Sequence, residues 1–220
     1  EISCYPVLDK IKVLADQIKF YPAFLAGNGA PIKDKFHWEL YGASVSGMWD
    51  WEGLKLHINK YGLTNGLQIA LMPTASTSSI AGVVEAIEPQ PANIIKRKTL
   101  TGDCILYNKY LVYDLIKLGV WSDNLYKLIV SKEGSVQDLP LPNWIKEVYK
   151  TVWEIPRRVI IELAADRTPF IDQAQSLNCF MAKPAIDSII KMHKFSYEKK
   201  LKTGMYYLRQ TAGSDPLNPV

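Results

Sequence analysis

Gly66-Leu67-Gln68-Ile69-Ala70-Leu71-Met72 runs directly into Pro73-Thr74-Ala75-Ser76-Thr77-Ser78-Ser79. The first stretch is almost continuously apolar and is bounded by Gly66 and Pro73, the pattern of a buried strand. Hydroxyls follow at once, at Thr74, Ser76, Thr77, Ser78 and Ser79. Ile80 to Ile87 then has helical character. A strand-loop-helix junction at the C-terminal end of a strand is where α/β folds bind ligands. Backbone N–H groups at a helix start, ringed by hydroxyls, suit a phosphate. Hydroxyls also cap helices with no ligand present, so the pattern alone leaves a plain cap and turn as the alternative. A P-loop is not indicated, because no Gly-rich loop ending in Lys is present.

Outward from this junction, helices dominate. Leu8, Ile11, Leu14, Ala15 and Ile18 share one face of an amphipathic helix over Val7–Ile18. Tyr21 to Tyr41, with Gly27, Gly29 and Pro31, reads as loop. Trp49, Trp51, Leu54, Leu56 and Ile58 predict a helix closed near Tyr61-Gly62. Asn108 reads as the N-cap of a helix stopping at Gly119, and Ser122 caps another ending at Gly134. Asn143 opens a long helix through Leu163, which Pro156 kinks or divides. Phe170 to Met181 is extended around Ser176-Leu177-Asn178, Ala185 to Lys199 is helical, and Met205 to Leu208 is a strand. Strands alternating with long helices indicate an α/β fold. No linker or repeat interrupts residues 1–220, which read as one domain.

Composition sets the outer limits. The chain has 220 residues, is 48% hydrophobic and carries a net charge of +4. That charge surplus is too small, and Lys96-Arg97-Lys98 and Lys199-Lys200 too short, to indicate nucleic-acid binding. Cys4, Cys104 and Cys179 form neither a disulfide framework nor a C-x-x-C motif, which fits a reducing, cytoplasmic compartment. No apolar run reaches membrane-spanning length. The chain opens on Glu1, not Met, so a processed or partial chain is expected.

Other chemistry-bearing residues read as structural. His37, His57 and His193 lack metal-motif spacing. Glu85 and Glu88 stand three apart before Pro89; either would serve as an acid or base, but charged residues in a last helical turn are ordinary. Asp166, Arg167 and Asp172 flank a bend and read as paired structural charges. Gly204-Met205-Tyr206-Tyr207-Leu208-Arg209 is more distinctive. Phenols lose a proton and an electron together, so adjacent tyrosines are able to relay a radical. Alone, the pair reads as strand aromatics on opposite faces. A relay requires the two rings to approach to about 4.5–7 Å.

Taken together, these segments resemble one family. Met72-Pro73-Thr74-Ala75-Ser76-Thr77-Ser78 is similar to the substrate-phosphate loop of class I ribonucleotide reductase large subunits, of the eukaryotic and large-DNA-virus type. Leu201 to Arg209 resembles that family's radical-transfer tyrosine motif. Ile87-Glu88-Pro89, Leu139-Pro140, Val148 to Ile155 and Phe170 to Asn178 follow in the family's order, and Trp49-Asp50-Trp51 and Lys60-Tyr61-Gly62 extend the likeness upstream. The resemblance is strong over residues 49–210, weaker over 1–48, and leaves 211–220 as a tail.

The resemblance implies the C-terminal portion of a ten-stranded α/β barrel, in a ribonucleoside-diphosphate reductase large subunit that makes deoxyribonucleotides for DNA synthesis. It implies that Thr74, Ala75, Ser76 and Thr77 hold the substrate phosphates and that Tyr206 and Tyr207 relay the radical. The helix from Ala185 to Lys199 corresponds to part of the groove for the small subunit's C-terminal tail. No cofactor or metal is expected in this chain, because a metal-containing small subunit supplies the radical. The family's Asn-x-Cys-x-Glu element and redox cysteines have no counterpart here. Hence the expected partners are the remainder of the large subunit with the catalytic cysteine, the small subunit and a ribonucleoside diphosphate; neither nucleic acid nor a membrane is expected. This chain alone is expected to be inactive. The alternative reading is a non-enzymatic fragment that acts as an assembly or small-subunit-binding module.

Overall fold

Gly62 closes a helix as the sequence anticipates, and Asp50 opens it, so that Trp49 lies before it. The computed structural model describes residues 35–63, 66–99 and 102–211; the helix expected over Val7–Ile18 lies outside them. α1 (His37–Leu40) is a single turn, and α2 spans Trp51–Tyr61. Asp50 Oδ1 accepts from Gly53 N at 2.8 Å, satisfying one donor of the first turn of α2. Gly62 ends α2 at φ 92°, a conformation that disfavours a Cβ. The stretch expected to be loop through Tyr41 thus contains a helical turn. Its aromatics explain this: Phe36 stacks on Trp38 at 4.4 Å, and Trp38 meets Trp51 edge-on at 4.8 Å.

These elements belong to the first of two compact units, Glu1–Met72, Ala164–Gln175 and Lys200–Thr203. Within it, Thr168 Oγ1 and Gln175 Nε2 both donate to Ala164 O, at 2.9 and 2.7 Å, so these buried polar groups are satisfied. Residues 66–72 depart from expectation. They form no strand, and Leu67, Ile69 and Met72 are exposed. Their backbone engages Asp172 instead of a neighbouring strand: Gln68 N and Ile69 N both donate to Asp172 Oδ2 at 2.8 Å.

The second unit comprises Pro73–Leu163, Ser176–Lys199 and Gly204–Val220. It opens with α3 (Ala75–Ala81), which ends at Gly82 in the left-handed region. The helix expected over Ile80–Ile87 therefore begins earlier, on the hydroxyls themselves, and 83–88 are irregular. An antiparallel hairpin follows, β1 (Ile94–Thr99) and β2 (Gly102–Tyr107), in register from Ile94↔Tyr107 to Thr99↔Gly102. The sequence pattern does not reveal this hairpin.

Three helices build the core. α4 (Lys109–Lys117), α5 (Asp123–Ser131) and α6 (Asn143–Val148) bury Leu111, Leu115, Leu125, Ile129 and Ile145 against Val136, Leu139 and Leu141. Each such side chain contributes about 1.5–3 kcal/mol through burial. Ser122 caps α5 as expected, its Oγ accepting from Leu125 N. Asn108 occupies the cap position of α4 but turns its Nδ2 to Asn93 Oδ1 at 2.9 Å. The long helix expected from Asn143 is divided: α7 (Arg157–Arg167) starts after Pro156, and Tyr149–Pro156 between the two helices is not helical.

β3 (Cys179–Phe180), α8 (Ile186–Glu198) and β4 (Leu208–Arg209) form a β-α-β unit with parallel strands, Cys179↔Leu208 and Phe180↔Arg209. Parallel strands require such a crossover, and α8 supplies it. β4 starts later than the expected Met205. The mixture of helices with a parallel pair gives the α/β class. Among the described residues no helix is long and apolar enough to cross a membrane.

Asn93 ties this unit together. It is 3% exposed; its Nδ2 donates to Gly134 O at 3.0 Å and Tyr149 O at 2.9 Å, and its Oδ1 accepts from Asn108. Asn93→Ala removes the side-chain donor from both carbonyls; Gly134 O keeps the backbone N–H of residue 93 at 3.1 Å, whereas Tyr149 O loses its Asn93 partner. The expected loss is roughly 1–3 kcal/mol for the acceptor left unsatisfied, measured by urea unfolding.

Candidate functional site

A cleft of about 650 Å³ lies in the second unit. Its lining includes Ala75 and Ser78 from α3, Glu85 and Glu88 from the irregular stretch after it, Asn108 after the hairpin, Trp153, Asn178 and Phe180 around β3, and Arg209 of β4. Largely apolar walls with a few convergent polar groups are the usual make-up of a ligand site. Trp153 and Phe180 form one aromatic wall, their rings edge-to-face at 5.1 Å.

The hydroxyl-rich segment sits at one margin. Thr74 precedes α3, and Ser78 N donates to Thr74 O at 2.8 Å as the helix begins. A first helical turn directs N–H groups away from the helix, and Ser76 and Thr77 are exposed there. Thr74 itself is committed to the loop's shape: its N and Oγ1 both donate to Glu85 O, at 2.9 and 2.6 Å. Ser78 is buried and its Oγ donates to Ala75 O.

The tyrosine segment reaches the cleft through Arg209; Tyr206 and Tyr207 do not themselves line it. Tyr206 N donates to Leu177 O at 2.7 Å, and Cys179 N to Tyr207 O at 2.8 Å. Tyr206 is in a bend before β4, and the two rings lie 4.2 Å apart, tilted by 55°. That is slightly closer than the separation set for a relay. A hydrogen bond with the Tyr207 hydroxyl pushes the Tyr206 phenol above its ordinary value. Arg209 holds this end in place, its guanidinium 5.2 Å from the Tyr207 ring centre and 3.9 Å from the Glu85 carboxylate.

The sequence singles out Glu88 as a candidate acid or base but does not place it with Asn178 on the floor of the cleft. Glu88 is 7% exposed, and its Oε1 accepts from Asn178 N. Asn178 Oδ1 and Asn108 Oδ1 are buried acceptors without a hydrogen-bond partner, and both residues line the cleft. The Glu-Pro pair at 88–89 was visible as a carboxylate before a helix stop. Nothing local linked it to Asn178. Of the cysteines, Cys179 is buried beside this floor, whereas Cys4 and the side chain of Cys104 lie outside what is described. His37 Nδ1 donates to Pro169 O at 2.9 Å and His57 packs on Tyr61, which accords with structural roles. Among the described residues no three of His, Cys, Asp and Glu are grouped to hold a metal ion.

Comparison with known proteins is consistent across sequence and structure. The family model for the ribonucleotide reductase barrel domain matches residues 9–207. The chain is 46% identical over 211 residues to the ribonucleoside-diphosphate reductase large chain of Encephalitozoon cuniculi, covering 95% of this chain and 27% of that protein. It is 44% identical over 219 residues to the large subunit from Acanthamoeba polyphaga mimivirus, covering 97% and 24%. Among solved structures, the class Id ribonucleotide reductase alpha subunit of Actinobacillus ureae matches with TM-score 0.60 at 30% identity, over 70% of this chain and 28% of that one. The chain spans about a quarter of the length of these relatives.

Burial, and then the Glu88 carboxylate, push the Cys179 thiol up from 9.0 to about 11. A raised acid favours the folded state only while protonated. Its contribution is therefore intact below about pH 9 and is lost as pH rises through about 11. Urea unfolding at pH 8 and pH 10.5 should show a smaller loss of stability in Cys179→Ala than in the parent chain.

Proposed function

This chain belongs to the ribonucleotide reductase barrel-domain family, and we propose that it supplies the substrate-phosphate loop and the radical-relay tyrosines of a ribonucleoside-diphosphate reductase large subunit. The observation that supports this reading is that residues of both motif segments, Ala75 and Ser78 of the hydroxyl-rich stretch and Arg209 beside the tyrosines, line one cleft. The N–H groups of the first turn of α3 and the hydroxyls of Ser76 and Thr77 take the substrate's phosphates, with Ala75 supplying backbone only. Thr74 keeps the loop in shape through its two bonds to Glu85 O.

Tyr206 and Tyr207 pass the radical by giving up a phenolic proton and an electron together. Each phenol carries the proton this needs, as any phenol does at neutral pH. The cysteine that receives the radical lies in the remainder of the large subunit, and a metal-containing small subunit generates it. The cytoplasm is the compartment that suits this chemistry. A second reading, an assembly module without chemistry, draws on α8, where Ile186, Ile190 and Tyr197 stand 77%, 59% and 83% exposed. It predicts binding of a small-subunit tail peptide without reduction in any mixture.

The test is ribonucleoside diphosphate reduction by the full large subunit, or by this chain mixed with the remainder, in the presence of the small subunit. Tyr206→Phe abolishes turnover, because the ring has no O–H to lose; retained turnover rejects the relay role. Ser76→Ala raises KM for the diphosphate by about tenfold or more, from the loss of a charged hydrogen bond of about 1.5–3 kcal/mol.

A further inference from the structure

We propose that Asp172 and Lys202 are positioning residues, forming a clamp on the two chain segments that lead into the hydroxyl-rich loop and into the tyrosine pair. The inference rests on the function proposed above. All of its contacts lie within the first unit.

Asp172 grips Gln68 and Ile69 from both sides of its own residue. Its Oδ2 accepts from Gln68 N and Ile69 N, both at 2.8 Å. Its backbone N donates to Ile69 O at 3.1 Å, and Gln173 N reaches the same oxygen at 3.3 Å. Lys202 then grips the gripping segment: Nζ donates to Ile171 O at 2.5 Å and Asp172 O at 2.6 Å. A carboxylate on backbone N–H groups and an ammonium on backbone carbonyls are both charge-assisted bonds, stronger than neutral ones.

Position along the chain gives the clamp its meaning. Thr74 follows Ile69 by five residues, and Tyr206 follows Lys202 by four. The approach to the hydroxyl-rich loop is not fixed by apolar burial. Leu67, Ile69 and Met72 are exposed, so the stretch before the loop owes its course to Asp172 rather than to packing. Lys202 is an exposed residue whose Nζ is nonetheless taken up by the two carbonyls, and partial burial there pushes its ammonium below the ordinary value. A carboxylate and a lysine thus hold, through residues 171–172, the points from which both functional segments depart.

The test uses the full-length large subunit assembled with its small subunit. Asp172→Ala raises KM for the ribonucleoside diphosphate and lowers kcat, reducing kcat/KM by as much as about 100-fold, as expected for displacement of reacting groups by about 1 Å. Asp172→Asn, whose amide oxygen still accepts both N–H groups, retains most of the activity. Lys202→Arg retains more than Lys202→Met. Hydrogen exchange over residues 66–72 rises in Asp172→Ala, and over 203–209 in Lys202→Met. The proposal is overturned by unchanged exchange in both segments, or by raised exchange with KM and kcat at parental values. Where Asp172→Ala fails to fold, Asp172→Asn and Lys202→Met decide the matter by the same two readouts. If the parental protein itself reduces no diphosphate, the proposed function fails, and exchange alone decides whether the clamp exists.

Discussion

The parallel ladder between residues 177–181 and 206–209 is the constraint on which the candidate site depends. Its bonds run from Tyr206 N to Leu177 O, from Cys179 N to Tyr207 O and from Met181 N to Arg209 O. Two very short strands would not hold each other unaided. α8 closes the crossover between them, and Glu88 fixes the first strand from outside through Asn178 N. A buried carboxylate is costly unless hydrogen-bonded. Its bond to Asn178 therefore does two jobs, satisfying the charge and locking the floor of the cleft beside the ladder.

The opposite wall is fixed by a different device. Asn93 lines the cleft and also reaches Gly134 O and Tyr149 O, which belong to the loops closing the helical core. Gly134 leaves no room for a side chain there: an added Cβ would lie 2.6 Å from Ala92 Cβ and 2.8 Å from Asn93 N. Leu115, Ile129, Val136 and Ile145 are fully buried behind this junction. The wall that carries Asn93 and Asn108 is thus continuous with the most tightly packed part of the unit, and a site on rigid elements keeps its geometry.

Helices were legible in the sequence because caps and apolar periodicity are local. Ser122 and Gly62 mark real helix ends, and Pro156 marks a real interruption. Strands were less legible, because pairing is decided elsewhere in the chain. Lys96-Arg97-Lys98 breaks the apolar alternation of β1 and reads as surface, which concealed the hairpin. The run from Leu67 to Met72 has the composition of a buried strand, yet its backbone partner is a carboxylate more than 100 residues away in sequence. The site divides in the same way. The hydroxyls and tyrosines stood out as motifs, whereas the Glu88–Asn178 bond joins residues 90 apart and left no local trace.

Adjacent tyrosines pose a geometric problem, since neighbours in a regular strand face opposite ways. The chain solves it before the strand begins. Gly204 passes close to α8: a Cβ there would come 3.1 Å from Ser196 Cβ and 3.3 Å from His193 Nδ1. A bend at Tyr206 follows, and regular pairing starts only at Leu208. Aromatic attraction between the rings, about 0.5–1.5 kcal/mol, is small against three ladder bonds of about 0.5–1.5 kcal/mol each acting with the helix contact. The 4.2 Å approach of the rings is therefore imposed by the backbone on either side of them. Loosening either the glycine's passage or the ladder would separate the rings, whatever their mutual attraction.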